Sequence, residues 1–385
     1  MKVIKHAGRG LAGMIAAAAI LAGTAAHAAE PIKIYTIVEL TGPGAASGEP
    51  FRDGIKMAVD EINADGGILG RRIEAPVLDT QSNPGIAKAM ATKAVGDQAY
   101  AIMGPIFSGS VLVSMEVARE AHIPNFVGGE ASNITERGNP YVFRTSFSQA
   151  KAMPKVAHYI AGMAPGKSVG IVYVNNDFGK GGLDAIAPEL KKLGMTIAAE
   201  IPSSQGQVDF SSPVRQLKNS KADLVFAYLT VEESARLLRE LKKQGWDKPI
   251  VGETTIMQQS VIALAGDAAN GARGHVGLTI DAPNPLVRDF AQRFEKNFGY
   301  KSSHEGLKGY IGMYTLKAAT ERAGKVDPEA LAATMKGLSL SAKDHPGILM
   351  DLRYDDKGDL ARESYVVEVQ DGKQAVIETL PAVLQ

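Results

Sequence analysis

Residues 100–121 read YAIMGPIFSGSVLVSMEVAREA, and this stretch decides the fold. Tyr100–Ile106 is a short run of β-formers, Phe107-Ser108-Gly109-Ser110 is a turn, and apolar residues then recur at helical spacing to Ala121. A strand that runs straight into a helix is the elementary step of an α/β sheet, and the step repeats on both sides. Upstream, Ile32–Leu40 reads as a strand, and Phe51, Ile55, Ala58, Val59 and Ile62 form one helix face closed by Asp65-Gly66-Gly67. Arg72–Asp79 reads as a second strand and Pro84–Asp97 as a helix; downstream, Ile123–Val127 is a fourth strand. Strands separated by single helices imply right-handed crossovers and a parallel, doubly wound sheet.

The pattern restarts after Tyr141–Phe147. Helices near Ala150–Met163, Gly181–Leu193, Asp209–Asn219 and Glu232–Gln244 alternate with strands at Ser168–Asn175, Met195–Ile201, Ala222–Leu229, Pro249–Glu253 and His275–Ile280. The tail departs from this rule. Pro285–Asn297, Leu307–Ala323 and Pro328–Lys336 read as helices without partner strands, and β-like runs at Gly347–Tyr354 and Tyr365–Val369 are joined by the turn Asp355-Asp356-Lys357-Gly358. Such helices must pack on a lobe already begun. The chain is therefore expected to cross between two lobes more than once, with a hinge and a cleft.

The length of 385 residues also fits two domains. A hydrophobic fraction of 45% with 22% charged residues excludes a disordered chain. No cysteine is present, which removes disulfides, thiolate metal sites and thiol nucleophiles together. Forty-two basic residues balance 42 acidic ones, so no basic field marks a nucleic-acid partner.

Lys2, Lys5 and Arg9 precede an apolar stretch from Leu11 to about Ala26, and Ala26-His27-Ala28 is a small-x-small cleavage pattern. Residues 1–28 are expected to be a signal peptide, leaving a periplasmic chain that starts at Ala29 and carries 39 basic against 42 acidic residues. The stretch is too short and weakly apolar for a membrane span. With no cysteine to carry a lipid, the mature chain is expected to be free rather than a lipoprotein.

In a doubly wound sheet, ligands bind beyond the carboxyl ends of the strands, at helix N-termini. Ser108 offers a hydroxyl there, and Gly109 and Ser110 offer amides at the positive end of a helix dipole, a set that accepts a carboxylate without a cationic side chain. Serine is also a common helix cap, and spacing alone leaves both roles open. Gly128 and Gly129 let a ligand approach the backbone at the next strand end, and Glu130 there is either a partner for an ammonium or hydroxyl group or a solvated loop acid. Phe178, in Asn175-Asn176-Asp177-Phe178-Gly179-Lys180-Gly181, is placed to form an aromatic wall.

Enzymatic signatures are thin. His122, His158, His275, His304 and His345 have no metal-pair spacing, His304-Glu305 lacks the second histidine of a zincin, and no Gly-x-Ser-x-Gly elbow follows residue 28. Neither an enzyme, a metal nor a cofactor is expected. A sensor that presents its ligand to a membrane partner is the rival class.

Several motifs together resemble periplasmic Leu/Ile/Val-binding proteins: Leu40-Thr41-Gly42-Pro43, Gly54-Ile55-Lys56-Met57-Ala58-Val59-Asp60-Glu61-Ile62-Asn63, Gly66-Gly67-Ile68-Leu69-Gly70, Asp79-Thr80-Gln81-Ser82-Asn83-Pro84, Asp177-Phe178-Gly179-Lys180-Gly181 and Asp209-Phe210-Ser211. The resemblance implies a type I periplasmic binding fold: two α/β lobes joined by three hinge crossings. One lobe would comprise residues 29–146 and 278–363, the other 147–277 and 364–385. It also implies a monomer that closes on a small ligand and delivers it to the permease of an ABC transporter. By resemblance, Ser108 holds the ligand carboxylate with the following backbone, and the Gly128 carbonyl faces an ammonium. Phe178 replaces a tyrosine, Ser47 stands where an aromatic residue is frequent, and Thr230 contributes from the second lobe. Glu130 stands where Ser or Thr is usual, and Thr254 where amino acid binders place an acid, with Glu253 beside it. The implied ligand is a branched-chain or other hydrophobic amino acid, or an aromatic carboxylate or amide that lacks the amino group.

Overall fold

The computed structural model describes residues 30–164 and 167–382; the leader expected over residues 1–28 lies outside the described residues. The first sheet is built from β1 (Ile32–Val38), α1 (Ala45–Ala64), β2 (Ile73–Glu74), β3 (Val77–Asp79), α2 (Pro84–Gly96), β4 (Ala101–Met103), α3 (Ser108–Glu120), β5 (Asn125–Val127), α4 (Asn133–Glu136) and β6 (Val142–Arg144). Its strand order is β2-β1-β4-β5-β6, with β3 beside β2 on β1, and every pairing is parallel. The single expected strand Arg72–Asp79 is thus two short ones, broken at Ala75-Pro76 because proline cannot donate to a ladder.

The chain then builds a second sheet from α5 (Gln149–Met163), β7 (Ser168–Val174), α6 (Asp177–Lys192), β8 (Thr196–Ser203), α7 (Ser211–Asn219), β9 (Leu224–Tyr228), α8 (Val231–Lys243), β10 (Ile250–Glu253), α9 (Gln259–Ala265) and β11 (Arg273–Val276). It returns to the first lobe with α10 (Pro285–Phe298), α11 (His304–Ala323), α12 (Pro328–Met335) and the small sheet of β12 (Ser339–Leu340), β13 (Leu352–Tyr354) and β14 (Leu360–Ala361). Finally β15 (Ser364–Gln370) and β16 (Lys373–Leu380) join the second sheet, whose order is β16-β15-β11-β10-β9-β7-β8. The α/β class and two lobes are as the sequence implies, and three segments connect the sheets: 145–148, 277–284 and 362–363.

Two expectations for the tail fail. The turn at Asp355–Gly358 closes β13 onto β14, not onto the later strand. The second sheet is not wholly parallel, because β15 runs antiparallel to β11 and β16 antiparallel to β15.

Both sheets are covered on both faces, so their strands read as nearly continuous apolar runs. Along β1, Ile34 and Val38 pack with Phe51 and Ile55 of α1, whereas Tyr35 and Ile37 pack with Ala91 and Ala94 of α2. In the second sheet Ile171 and Phe226 face α5 and α6, and Val172 and Val225 face α7 and α8. Each fully buried aliphatic side chain contributes about 1.5–3 kcal/mol. Helix α1 begins at Ala45, six residues before the expected face, which brings Ser47 into its first turn.

Helix α11 is pressed onto α1 by missing side chains. A Cβ on Gly54 would lie 2.0 Å from the Gly306 carbonyl oxygen, and one on Gly309 would lie 2.3 Å from that of Phe51. The crossing fixes where Glu305 and Lys308, on the same helix, meet the cleft. Among the described residues, no helix is long and apolar enough to cross a membrane.

Candidate ligand-binding site

A cavity of about 120 Å³ lies between the two sheets. The first lobe lines it with Ser47, Ser82, Pro84, Ile106 to Ser110, Gly128, Glu130, Glu305 and Lys308; the second contributes Asn176, Asp177, Phe178, Gln205, Thr230 and Thr255.

One wall is the start of α3. Its first internal bond runs from the Val111 N–H to the Phe107 carbonyl, so the amides of Ser108, Gly109 and Ser110 are the unpaired first turn of the helix. The Ser108 hydroxyl oxygen accepts the N–H groups of Glu130 (3.3 Å) and Ala131 (3.2 Å), which leaves its own proton to donate. Behind the turn, the buried Glu39 carboxyl accepts the N–H groups of Ile106 (3.2 Å) and Phe107 (3.3 Å).

The inner wall is ionic. Lys308, only 2% exposed at its side chain, donates to the Gly128 carbonyl at 3.1 Å and stands 3.0 Å from Glu305 and 3.6 Å from Glu130. His304 Nε2 is 3.7 Å from Glu130, and the Tyr228 hydroxyl donates to Glu130 at 3.4 Å from the other lobe. Burial alone would raise the Glu130 carboxyl, yet His304, Lys308 and Arg144 together hold it below its ordinary value. Burial and the nearby Glu130 charge push Glu253 well above the usual carboxylate range. Burial, aided by Lys155, takes His275 down to about 3. Charge is thereby favoured on Glu130 and disfavoured on Glu253 and His275.

A buried clamp sets the loop that carries Glu130. Arg144 pairs with Asp359 at 2.5 Å and donates to the carbonyls of Gly129 (2.7 Å) and Ala131 (2.8 Å). The Thr135 hydroxyl donates to the same Asp359 oxygen at 2.8 Å.

Of the residues expected from sequence, Ser47, Phe107, Ser108, Gly109, Ser110, Gly128, Glu130, Phe178 and Thr230 meet at this cavity. Gly129 and Thr254 do not line it. Gly129 is held behind the wall, where a Cβ would lie 2.9 Å from the Ile134 side chain and 3.0 Å from that of Val111. The Thr254 hydroxyl donates to Glu253 at 2.6 Å inside the second lobe, and Thr255, one residue on, faces the cavity instead. Thr230 caps α8: its hydroxyl donates to Glu233 at 2.7 Å and its amide to the same carboxylate at 3.1 Å, a capping box. Phe178 stacks on Tyr228 with ring centroids 4.2 Å apart, and Gln149 donates to its carbonyl at 2.7 Å. Sequence reasoning misses Glu305 and Lys308, because His304-Glu305 reads there only as an incomplete zincin motif.

Residues 31–374 match a family model described as periplasmic binding protein. The chain is 27% identical over 358 residues to a leucine-, isoleucine-, valine-, threonine- and alanine-binding protein of Pseudomonas aeruginosa, covering 91% of this chain and 93% of that protein. It is 30% identical over 343 residues to the Leu/Ile/Val-binding protein BraC3 of Rhizobium johnstonii, covering 88% and 91%. Among solved structures, an ABC-transporter solute-binding protein of Rhodopseudomonas palustris in complex with 3,4-dihydroxybenzoic acid superimposes with a TM-score of 0.84 at 24% identity, covering 92% and 98%; that likeness is one of fold.

Proposed function

The chain belongs to the periplasmic binding protein family, and we propose that it is the exported solute-binding component of an ABC importer. Its ligand is a small carboxylate-bearing solute of the branched-chain or other hydrophobic amino acid class, handed as a monomeric complex to a membrane permease. The observation that carries the reading is the wall at α3, where three unpaired amides and the Ser108 hydroxyl converge on a cavity the other lobe completes with Phe178 and Thr255. The relatives named for branched-chain amino acids support the ligand class.

Capture works by closure. The moving bodies are residues 29–146 with 278–363 and residues 147–277 with 364–385, pivoting at the three connections. A ligand that touches both walls has its full set of contacts only when the lobes are together, so binding shifts the population towards the closed form. The bond from Tyr228 to Glu130 crosses the cleft in that form.

One observation favours a second reading, an aromatic carboxylate or amide. Lys308 already places an ammonium against Gly128, Glu305 and Glu130, the acceptors an amino acid would use for its own. Phe178 and Phe107 offer rings along the same cavity.

A thermal-shift screen of L-leucine, L-isoleucine, L-valine, benzoate, 4-hydroxybenzoate and their amides tests both. A ligand at about 100 times its Kd stabilises by about 2.7 kcal/mol. Stabilisation by the amino acids supports the first reading and by the aromatic acids the second; no stabilisation by any carboxylate overturns both. Cell fractionation that finds the chain outside the periplasm overturns the assignment to import.

A further inference from the structure

We propose that Glu39 is the positioning residue of the carboxylate-binding turn, and that capture of a carboxylate there is linked to uptake of a proton by Glu39. The inference rests on the reading that Ser108–Ser110 receive a ligand carboxylate.

Glu39 follows β1, is 0% exposed and lies outside the cavity lining. Its carboxyl oxygens accept the amides of Ile106 and Phe107, the two residues that lead into Ser108. It is enclosed by the start of α1: a Cβ on Gly44 would stand 2.6 Å from the Glu39 Cβ, and one on Gly48 would collide with the Glu39 carbonyl. The side chain thus has one orientation, and the turn hangs from it.

The same position is electrostatically exposed to the ligand. Among the described residues Glu39 forms no ion pair; charged groups on the neighbouring elements are Asp79 on β3, Glu49, Arg52, Asp53 and Lys56 on the first half of α1, with Arg52 paired to Asp53 and Lys56 to Asp60, and Glu130, Asp177, Glu305 and Lys308 around the cavity. Burial pushes the carboxyl up to about 7, against the opposing backbone bonds from Ile106 and Phe107. A ligand carboxylate on the amides of Ser108 to Ser110 brings a second negative charge to the far side of one short turn, and closure excludes the water that would screen it. Like charges in such a site cannot both remain ionised at low cost. The proton comes from solvent and resides on a Glu39 carboxyl oxygen.

The test follows the Glu39 carboxyl carbon by NMR titration of the intact protein, free and saturated with L-leucine or benzoate, whichever binds, with Glu39→Gln to assign the resonance. The expected midpoint is near 7 in the free protein and higher in the loaded one. Calorimetry at pH 7.5 in phosphate and in Tris should then give enthalpies that differ by a fractional proton uptake, and the difference should vanish in Glu39→Gln. An ordinary carboxylate midpoint, an identical midpoint with and without the probe, or a buffer-independent enthalpy overturns the linkage while leaving the site reading intact. Failure of both probes to bind overturns the site reading and the linkage with it.

Discussion

The ammonium of Lys308 lies 3.1 Å from the carbonyl oxygen of Gly128, although 180 residues separate them. The lysine arrives from α11, the glycine from the end of β5, and Glu305 and Glu130 complete a buried group of one cation and two acids. Removing one member leaves a largely buried charge without its partner. Lys308→Met is expected to cost about 3–5 kcal/mol of stability, read from urea denaturation. The double variant Lys308→Met/Glu305→Gln should recover part of the loss, because one of the stranded acids goes with it.

Ser108 should matter to affinity more than to folding. Its hydroxyl oxygen already accepts the amides of Glu130 and Ala131, which leaves its proton free to donate at the α3 turn. Ser108→Ala should weaken a bound carboxylate by about 1–3 kcal/mol. Isothermal calorimetry that finds an unchanged Kd discards the role.

The Arg144–Asp359 pair is a different case, since both groups serve architecture. Either Arg144→Met or Asp359→Asn should cost about 3–5 kcal/mol, and the double variant less than the sum. Because Arg144 holds the carbonyls of Gly129 and Ala131, amide exchange at residues 128–132 should quicken in Arg144→Met. Protection factors equal to those of the parent protein would count against the clamp.

Stability should also carry a signature of Glu39. Its folded pKa, about 7, exceeds the ordinary 4.5. Below the unfolded value both states are protonated and the stabilising effect is fully present; above it the unfolded chain releases the proton first, and stability falls as pH rises through the folded value. The loss over that window is about 3 kcal/mol. Urea midpoints between pH 5 and pH 8 should decline in the parent protein and decline less in Glu39→Gln. Glu130, held below its ordinary value, acts in the opposite sense, losing its contribution only as pH drops through the acid range.

The alternation of strand and helix was legible because each strand is short, buried on both faces and followed at once by a helix start. The wall at Ser108–Ser110 was legible for the same reason. What was hidden had physical causes. Helix α11 is buried all round its first three turns, so no amphipathic face marks Glu305 and Lys308 as inward charges. Strand β16 carries Lys373, Glu378 and Thr379 on an open edge and offers little apolar alternation. Thr254 and Thr255 differ only by their place in the tight turn after β10, which spacing does not resolve. Thr230 lines the cavity as expected, and what spacing does not show is that its hydroxyl proton is held by Glu233 three residues later.

The contact of Gly54 with Gly306 joins positions separated by nearly the whole of the second lobe. A ribosome delivers the N-terminal half of that crossing long before the helix that seals it exists. The first sheet must therefore wait, incompletely covered, while the intervening α/β unit is made from contiguous chain. Late sealing of this kind makes completion of the first lobe depend on residues made near the end of synthesis.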